Sequence, residues 1–204
     1  MTVDHLEILV EEPSMEVFLR SLLPRMLPDH ISFDIHPYQC KDDLLCKLPN
    51  RLKGYAAWLP ATSLIVVIVD RDDDDCSDLK QEMEMMAEKA GLSTRSNRNN
   101  GHWKVVNRIA IEELEAWYFG DWVAVCEAYP RTNATIIRKE GFRDPDSISG
   151  GTWEAFERVL KKSGYFKNGL RKMDAARRVG ERVDPRRNRS RSFQVFRDAL
   201  LEVI

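Results

Sequence analysis

Apolar strand-like and amphipathic helical segments alternate over roughly the first 130 residues, and only helical segments follow. That order predicts an α/β protein: a mostly parallel sheet flanked by helices, with a C-terminal helical extension. Two further observations support it. The segment LIVVIVD (64–70) is apolar on both faces, as a strand buried within a parallel sheet must be. Basic residues also gather late, with 14 Lys and Arg between Arg158 and Arg197 against three acids, Asp174, Glu181 and Asp184. The reading divides the chain into an α/β domain, 1–130, and a basic helical extension, 131–204, packed on it.

The elements follow in order. HLEILVEE (5–12) reads as a strand. SMEVFLRSLLPRML follows as a helix, with Met15, Phe18, Leu19, Leu22, Leu23 and Met26 at helical spacing, Ser14 as N-cap, and Pro24 and Pro28 limiting its far end. ISFDIHPY (31–38) alternates as a second strand, and 41–53 reads as a short helix. LIVVIVD is the third strand. Residues 77–91 place Leu79, Met83, Met86 and Ala90 on one helical face, ending at Gly91. WKVVNRIAI (103–111) is a fourth strand, and EELEAWYFGDWVAVCEAY reads as two helices with a break near Gly120. Beyond residue 132 helices are expected over 152–162, about 168–181 and about 190–203.

Composition narrows the function classes. The chain has 204 residues, 43% of them hydrophobic, which suits one globular domain with an extension. No apolar run approaches the roughly 18 residues of a membrane span, and no signal-peptide pattern opens the sequence. Cys40, Cys46, Cys76 and Cys126 form no CxxC or Cys/His pattern, so neither a zinc site nor a disulfide framework is expected, and a reducing cytoplasm is the default. The net charge of −2 conceals an acidic body and a basic arm, which points to an anionic partner or to a solvated helical face.

The chemistry is expected where strands end. In open parallel sheets, polar sites lie outside the carboxyl ends of the strands. Glu11 and Glu12 follow the first strand; Asp70 and Asp72 follow the third; Glu112, Glu113 and Glu115 follow the fourth. Carboxylates crowded together raise one another's pKa, and a divalent cation relieves the conflict. Oxygen ligands without a His/Cys cluster favour Mg²⁺ or Mn²⁺. Alternation along a strand puts Asp70 and Asp72 on one side. Asp73, Asp74, Asp75 and Ser77 read instead as capping and first-turn residues of the next helix. Glu12 reads as solvent-facing, and the three glutamates after the fourth strand read equally well as first-turn acids.

At these residues the sequence resembles known families. LVEEPSMEVFL is similar to the V-E-G-x-x-[DE] opening of Toprim domains, and VVIVDRD to their D-x-D strand end, with Glu12 where that pattern usually has glycine. More closely, LVEEPSMEVFL, IAIEELEAWYFGD and SGYFKNGLRKMDAARRVG…RSFQVFRDALLEVI resemble the bacterial DUF4276 family, regarded as Toprim-like and related to OLD-type and anti-phage nucleases. Glu113 and Glu115 match the two acids of that family's H-E-F-E-A-L-like motif, with Glu112 in place of the usual His.

The resemblance implies a metal-dependent nuclease acting on DNA or RNA, tRNA included, in an anti-phage system. Glu11 would be a ligand or general base, Asp70 and Asp72 ligands, and Glu113 or Glu115 a further ligand or orienting group. Lys104, Arg108 and Lys167 are candidates to meet charge on the phosphate. Arg171, Lys172, Arg177, Arg178, Arg186, Arg187, Arg189 and Arg191 would track the nucleic-acid backbone. Trp103, Trp117, Trp122 and Trp153 are candidates to stack on bases, or core residues at helical spacing. Tyr165 reads as a packing or phosphate-contact residue. With no P-loop motif in the chain, ATP dependence implies a separate ATPase partner, for which WYFGDW (117–122) is a candidate apolar patch. Self-association is left open. The alternative is a non-catalytic Toprim-like scaffold or nucleic-acid-binding subunit of such a complex. A phospho-acceptor fold with Asp70 as acceptor, and a haloacid-dehalogenase-like phosphatase, fit the element order less well.

Overall fold

A computed structural model describes residues 3–203. Four strands, β1 (His5–Val10), β2 (Ser32–Pro37), β3 (Ser63–Asp70) and β4 (Val105–Ala110), form one parallel sheet in the order β2-β1-β3-β4. The chain therefore starts inside the sheet, moves outward to β2, and crosses back over β1 to lay down β3. That reversal makes the carboxyl ends of β1 and β3 the switch point where such sheets open a crevice. The apolar run in the third strand is explained by its place, because all eight residues of β3 are buried between neighbours and beneath helices on both faces.

Among the described residues eight α-helices flank the sheet: α1 (Pro13–Leu22), α2 (Lys41–Trp58), α3 (Cys76–Lys89), α4 (Leu114–Gly120), α5 (Trp122–Ala128), α6 (Thr152–Lys162), α7 (Lys172–Gly180) and α8 (Arg191–Leu201). The α/β class with a parallel sheet flanked by helices is the one the sequence predicts, and it is consistent with a Toprim-like fold. Alternation divides the core in two. Leu9, Ile65, Val67, Val69 and Ile109 face α2 and α3. Leu6, Ile8, Val10, Val66, Ile68 and Val106 face the other way, into a cluster shared with α1, α4 and α6–α8. Extension and sheet thus share one apolar core. The approach of α7 to α1 is close enough that a Cβ at Gly180 would stand 2.9 Å from the Phe18 carbonyl oxygen, so only glycine fits.

Several boundaries differ from the sequence reading. Ser14 is not the cap of α1: Pro13 occupies the first turn, where its missing N–H is not needed, Glu12 is the N-cap, and Ser14 is buried inside the helix. Helix α2 runs through Pro49 to Trp58 rather than stopping at 53. Its buried residues Leu44, Leu48, Leu52 and Tyr55 form one stripe, and the packing of that stripe outweighs the hydrogen bond that Pro49 removes. Helix α7 starts at Lys172, after a turn with left-handed backbone at Phe166 and Gly169. Ser190 caps α8 by accepting from the Phe193 N–H. The WYFGDW segment is no surface patch, because Trp117, Tyr118, Phe119 and Trp122 are buried in the larger cluster. No helix among the described residues is long and apolar enough to cross a membrane.

Candidate active site at the carboxyl ends of β1 and β3

The parallel register brings the ends of β1 and β3 side by side, and the acids beyond them meet. The carboxylate of Glu11 accepts a hydrogen bond of 2.8 Å from the backbone N–H of Asp70. Asp70, the last residue of β3, is buried, and its Oδ1 has no hydrogen-bond partner. From the start of α4, Glu115 comes to the same neighbourhood, 1% exposed and with an unpartnered Oε2. Buried polar groups are normally satisfied, so two orphaned carboxylate oxygens in one neighbourhood need an explanation.

Electrostatics shows how the group is coupled. Burial pushes the Glu11 carboxyl up to about 7; the Asp70 N–H opposes the rise, and Asp72 and Glu12 add to it. Burial pushes Glu115 up to about 8, with Lys172 opposing and Glu113 and Glu12 adding. Asp70 is driven well above the usual carboxylate range by burial and then by Glu11, Glu12, Glu115 and Asp72. Such mutual repulsion is what a divalent cation would relieve.

Two lysines face these acids. Lys172, the first residue of α7, has its Nζ 3.6 Å from a Glu12 oxygen. Burial works against its charge, but the fields of Glu115, Glu12, Glu113 and Asp70 outweigh it and raise its pKa. The same ammonium lies over the half-buried Trp153 ring, 5.6 Å from its centre. Lys41, the first residue of α2, binds the carbonyls of Asp70 and Arg71 at 3.2 and 3.1 Å and the carboxylates of Asp72 and Asp74 at 2.6 and 2.8 Å. It fastens the loop after β3 to the start of α2.

That loop also explains Asp72. Its backbone is left-handed (φ 49°), as is that of Glu112 (φ 63°) in the loop after β4. Asp72 N–H donates to the Glu112 carbonyl at 3.1 Å, and Arg71 pairs with the Glu112 carboxylate. Strand alternation therefore stops at Asp70. Asp72 is half exposed and turned to Lys41, and it reaches the other acids through its field rather than as a neighbour on the same strand face. Backbone in this region is uncommon for non-glycine residues and tends to occur at functional sites.

The remaining acids after β4 divide the roles. Glu113 is held at the start of α6, accepting from Thr152 Oγ1 at 3.0 Å and the Trp153 N–H at 2.8 Å. Its carboxylate satisfies a helix N-terminus, which leaves Glu115 as the open one. Glu12 stands where the Toprim pattern has glycine, but its φ of −141° is ordinary extended backbone that glycine is not needed to adopt. Asp75 caps α3, accepting from the N–H groups of Ser77 and Asp78, as expected of it.

Several basic candidates lie elsewhere. Lys104 precedes β4, at the opposite end of the sheet, and donates to the carbonyls of Pro60 and Ala61. Arg108 is buried within β4 and donates to the carbonyl of Asn107, so neither joins the acids. Position along the strand decides this: the active end of a parallel sheet is the carboxyl end, and both residues lie before it. Lys167 is exposed in the turn before α7. Arg187 makes a two-pronged pair with buried Asp121 at 2.6 and 2.9 Å, and Arg189 donates to the Arg143 carbonyl, so both are structural. Arg171, Arg177 and Arg178 share Asp174. Arg186 and Arg191 are exposed. Trp103, Trp117 and Trp122 are core, and Tyr165 packs against Tyr129 beneath the Arg131 guanidinium.

The sequence reading missed two participants. Tyr118 has a buried, unpartnered hydroxyl in the field of Glu115, Glu12 and Asp70. Lys172 reads from the sequence as a backbone-tracking residue; its approach to the acids depends on how α7 packs on α1, which spacing does not reveal. A third group was also missed. His5, Glu7 and Asp34, at the far end of β1 and on β2, place ligand atoms within 4.8 Å of one another and could hold a metal ion. The hollows beside Arg131, Phe142 and Arg158, beside Arg108, Asp146 and Arg191, and beside His5, Glu7 and Trp58 are not lined by Glu11, Asp70 or Glu115.

A family model described as "Domain of unknown function (DUF4276)" matches residues 10–201. No curated protein and no solved structure matches the chain.

Proposed function

The chain belongs to the DUF4276 family, whose function is unknown, and from its site we propose that it is a metal-dependent nuclease hydrolysing phosphodiester bonds in DNA or RNA. The observation that carries the reading is the pair of buried, unpartnered carboxylate oxygens, Asp70 Oδ1 and Glu115 Oε2, in one electrostatic neighbourhood with Glu11. An all-carboxylate donor set suits a hard cation such as Mg²⁺ or Mn²⁺. Glu11, Asp70 and Glu115 would hold it, with Asp72 at the margin. When bound, such an ion supplies Lewis-acid stabilisation of phosphate charge and eases deprotonation of water.

The chain's own groups do the rest. Glu11, fixed by the Asp70 N–H, would, where it does not itself hold the ion, accept the proton of the attacking water as that oxygen bonds to phosphorus and the bond to the leaving sugar oxygen breaks. Lys172 presents fixed positive charge to the phosphate. Glu113 acts at one remove, tying α6 to the loop after β4 and so positioning Trp153 beneath Lys172. Arg171, Arg186, Arg191 and Lys167 are exposed and available to phosphates along the strand. The likeness to anti-phage Toprim nucleases extends the proposal to a defence role beside a separate ATPase.

A second reading, a non-catalytic subunit of such a complex, has one observation in its favour. No choice of one carboxylate oxygen each from Glu11, Asp70 and Glu115 lies mutually within 4.8 Å, whereas the ligand atoms of the His5 group do. Incubation of plasmid, single-stranded DNA and total tRNA with Mg²⁺, Mn²⁺ or EDTA distinguishes the two. Metal-dependent cutting by the wild type, abolished in Asp70→Ala and Glu115→Gln, is expected of the nuclease. Nucleic-acid binding without cutting, unchanged in both variants, supports the subunit.

A further inference from the structure

The geometry points to a second metal site, of a different chemical class, at the opposite end of the sheet: we propose that His5, Glu7 and Asp34 bind a zinc-class divalent transition ion. The three lie on one face of the sheet. His5 and Glu7 are alternate residues of β1, and Asp34 is the residue of β2 in register with Glu7. His5 Nε2 stands 3.5 Å from Glu7 Oε1 and 3.9 Å from Asp34 Oδ2. These separations are long for hydrogen bonds. They are close to the roughly 3.3 Å between ligand atoms of a tetrahedral zinc with bonds of about 2.0 Å.

The surrounding groups orient each ligand. Ser32 Oγ donates to the Asp4 carbonyl at 3.2 Å, so toward His5 Nδ1, at 2.8 Å, it acts as acceptor. In the tautomer with the ring proton on Nδ1, which this arrangement accommodates, the lone pair of Nε2 faces the two carboxylates. Glu7 is fixed through its other oxygen, which accepts from Tyr55 OH at 2.8 Å and from His36 Nε2 at 2.6 Å. The Tyr55 hydroxyl in turn accepts from Arg51 at 2.9 Å. Tethering of a ligand's second atom in this way is the usual support of a metal site.

One imidazole with two carboxylates suits a borderline ion such as Zn²⁺ or Co²⁺ better than Mg²⁺. Three protein ligands leave a fourth position open. Asp34 is largely exposed on the edge strand, so that position faces solvent. The site shares no residue with the carboxylate cluster beyond β1 and β3, and it stands whether or not that cluster cuts nucleic acid.

The test is Co²⁺ and Zn²⁺ titration of the full chain, followed by Co²⁺ visible absorption and calorimetry in the Asp70→Asn background, which removes the other acids' claim on the metal. One ion should bind with the intense absorption of a four-coordinate centre. Affinity should fall at least tenfold in Asp34→Asn, an exposed position where folding is not at risk, and in His5→Ala. Tyr55→Phe, a positioning change, should weaken binding about 10-fold while keeping the spectrum. No uptake, or an affinity unmoved by Asp34→Asn and His5→Ala, would overturn the proposal and leave the trio as an ordinary ion-pair group.

Discussion

Glu11 and Asp70 are tied by a 2.8 Å hydrogen bond from the backbone N–H of Asp70 to the Glu11 carboxylate. The contact joins two strand ends that are 59 residues apart in sequence and adjacent in the sheet. It fixes the general-base candidate against the buried acid whose Oδ1 has no partner. The acids after β3 thus split into a buried member facing the sheet's crevice, Asp70, and outer members that bind Lys41 or cap α3.

Replacing Asp70 should separate stability from function. Asp70→Asn keeps the shape and removes an acid whose ionisation burial and its neighbours oppose. In EDTA at about pH 8 the variant should be more stable than the wild type by roughly 1–3 kcal/mol. Metal-dependent cutting should be lost. Chemical denaturation and the cleavage assay measure the two effects; a less stable variant would mean that Asp70 has a protein partner.

The pH dependence carries a sign. Glu11 titrates at about 7 and Glu115 at about 8, both raised from 4.5. Above about pH 4.5 the unfolded chain gives up these protons while the folded protein keeps them. Their contribution is therefore full below about 4.5, is lost as pH rises through 7 and 8, and is level beyond. In EDTA these two groups should lower Tm over that window, and Mg²⁺ should raise Tm most at its upper end. A Mg²⁺ effect as large at about pH 5 as at about pH 8.5 would remove the two glutamates from metal binding.

Glu113 and Glu115 should behave oppositely. Glu113→Ala removes two hydrogen bonds to a charged acceptor at the start of α6 and should cost about 1–3 kcal/mol of stability. Glu115→Gln should leave stability unchanged or improved at about pH 8 while abolishing cutting. Thermal melts of both variants, read beside their cleavage rates, check the assignment.

The basic arm should also divide. Arg187→Ala leaves buried Asp121 with only the backbone N–H groups of Ala124 and Asp184 and should destabilise by about 1–3 kcal/mol. Arg186→Ala should leave stability alone and reduce the salt slope of nucleic-acid binding by about one. Equal effects in the two variants would mean that the arm is uniform.

Much of this was legible in the sequence, for identifiable reasons. The apolar run 64–70 and the alternating segments give the parallel sheet because burial on both faces leaves a direct mark on composition. Glu11 and Asp70 stand out because strand ends can be located and the switch-point rule locates the crevice. What the sequence does not carry is which helix ends meet. Lys172 reaches the acids because α7 packs on α1 without a Cβ at Gly180, and Glu113 is absorbed by the start of α6. Arg187 looks like every other arginine of the arm until its buried partner is seen. The His5 group was hidden for the same kind of reason, since parallel register between β1 and β2 joins residues 27 positions apart, such as Glu7 and Asp34.

The most direct test of the central claim is Mn²⁺ binding followed by electron paramagnetic resonance at about pH 8, in a background carrying His5→Ala and Asp34→Asn. A metal centre there should bind one or two ions in that background and lose them on adding Asp70→Asn or Glu115→Gln, with Glu113→Gln retaining them. Binding that survives Asp70→Asn and Glu115→Gln, or no binding at all, would contradict a metal centre at the carboxyl ends of β1 and β3.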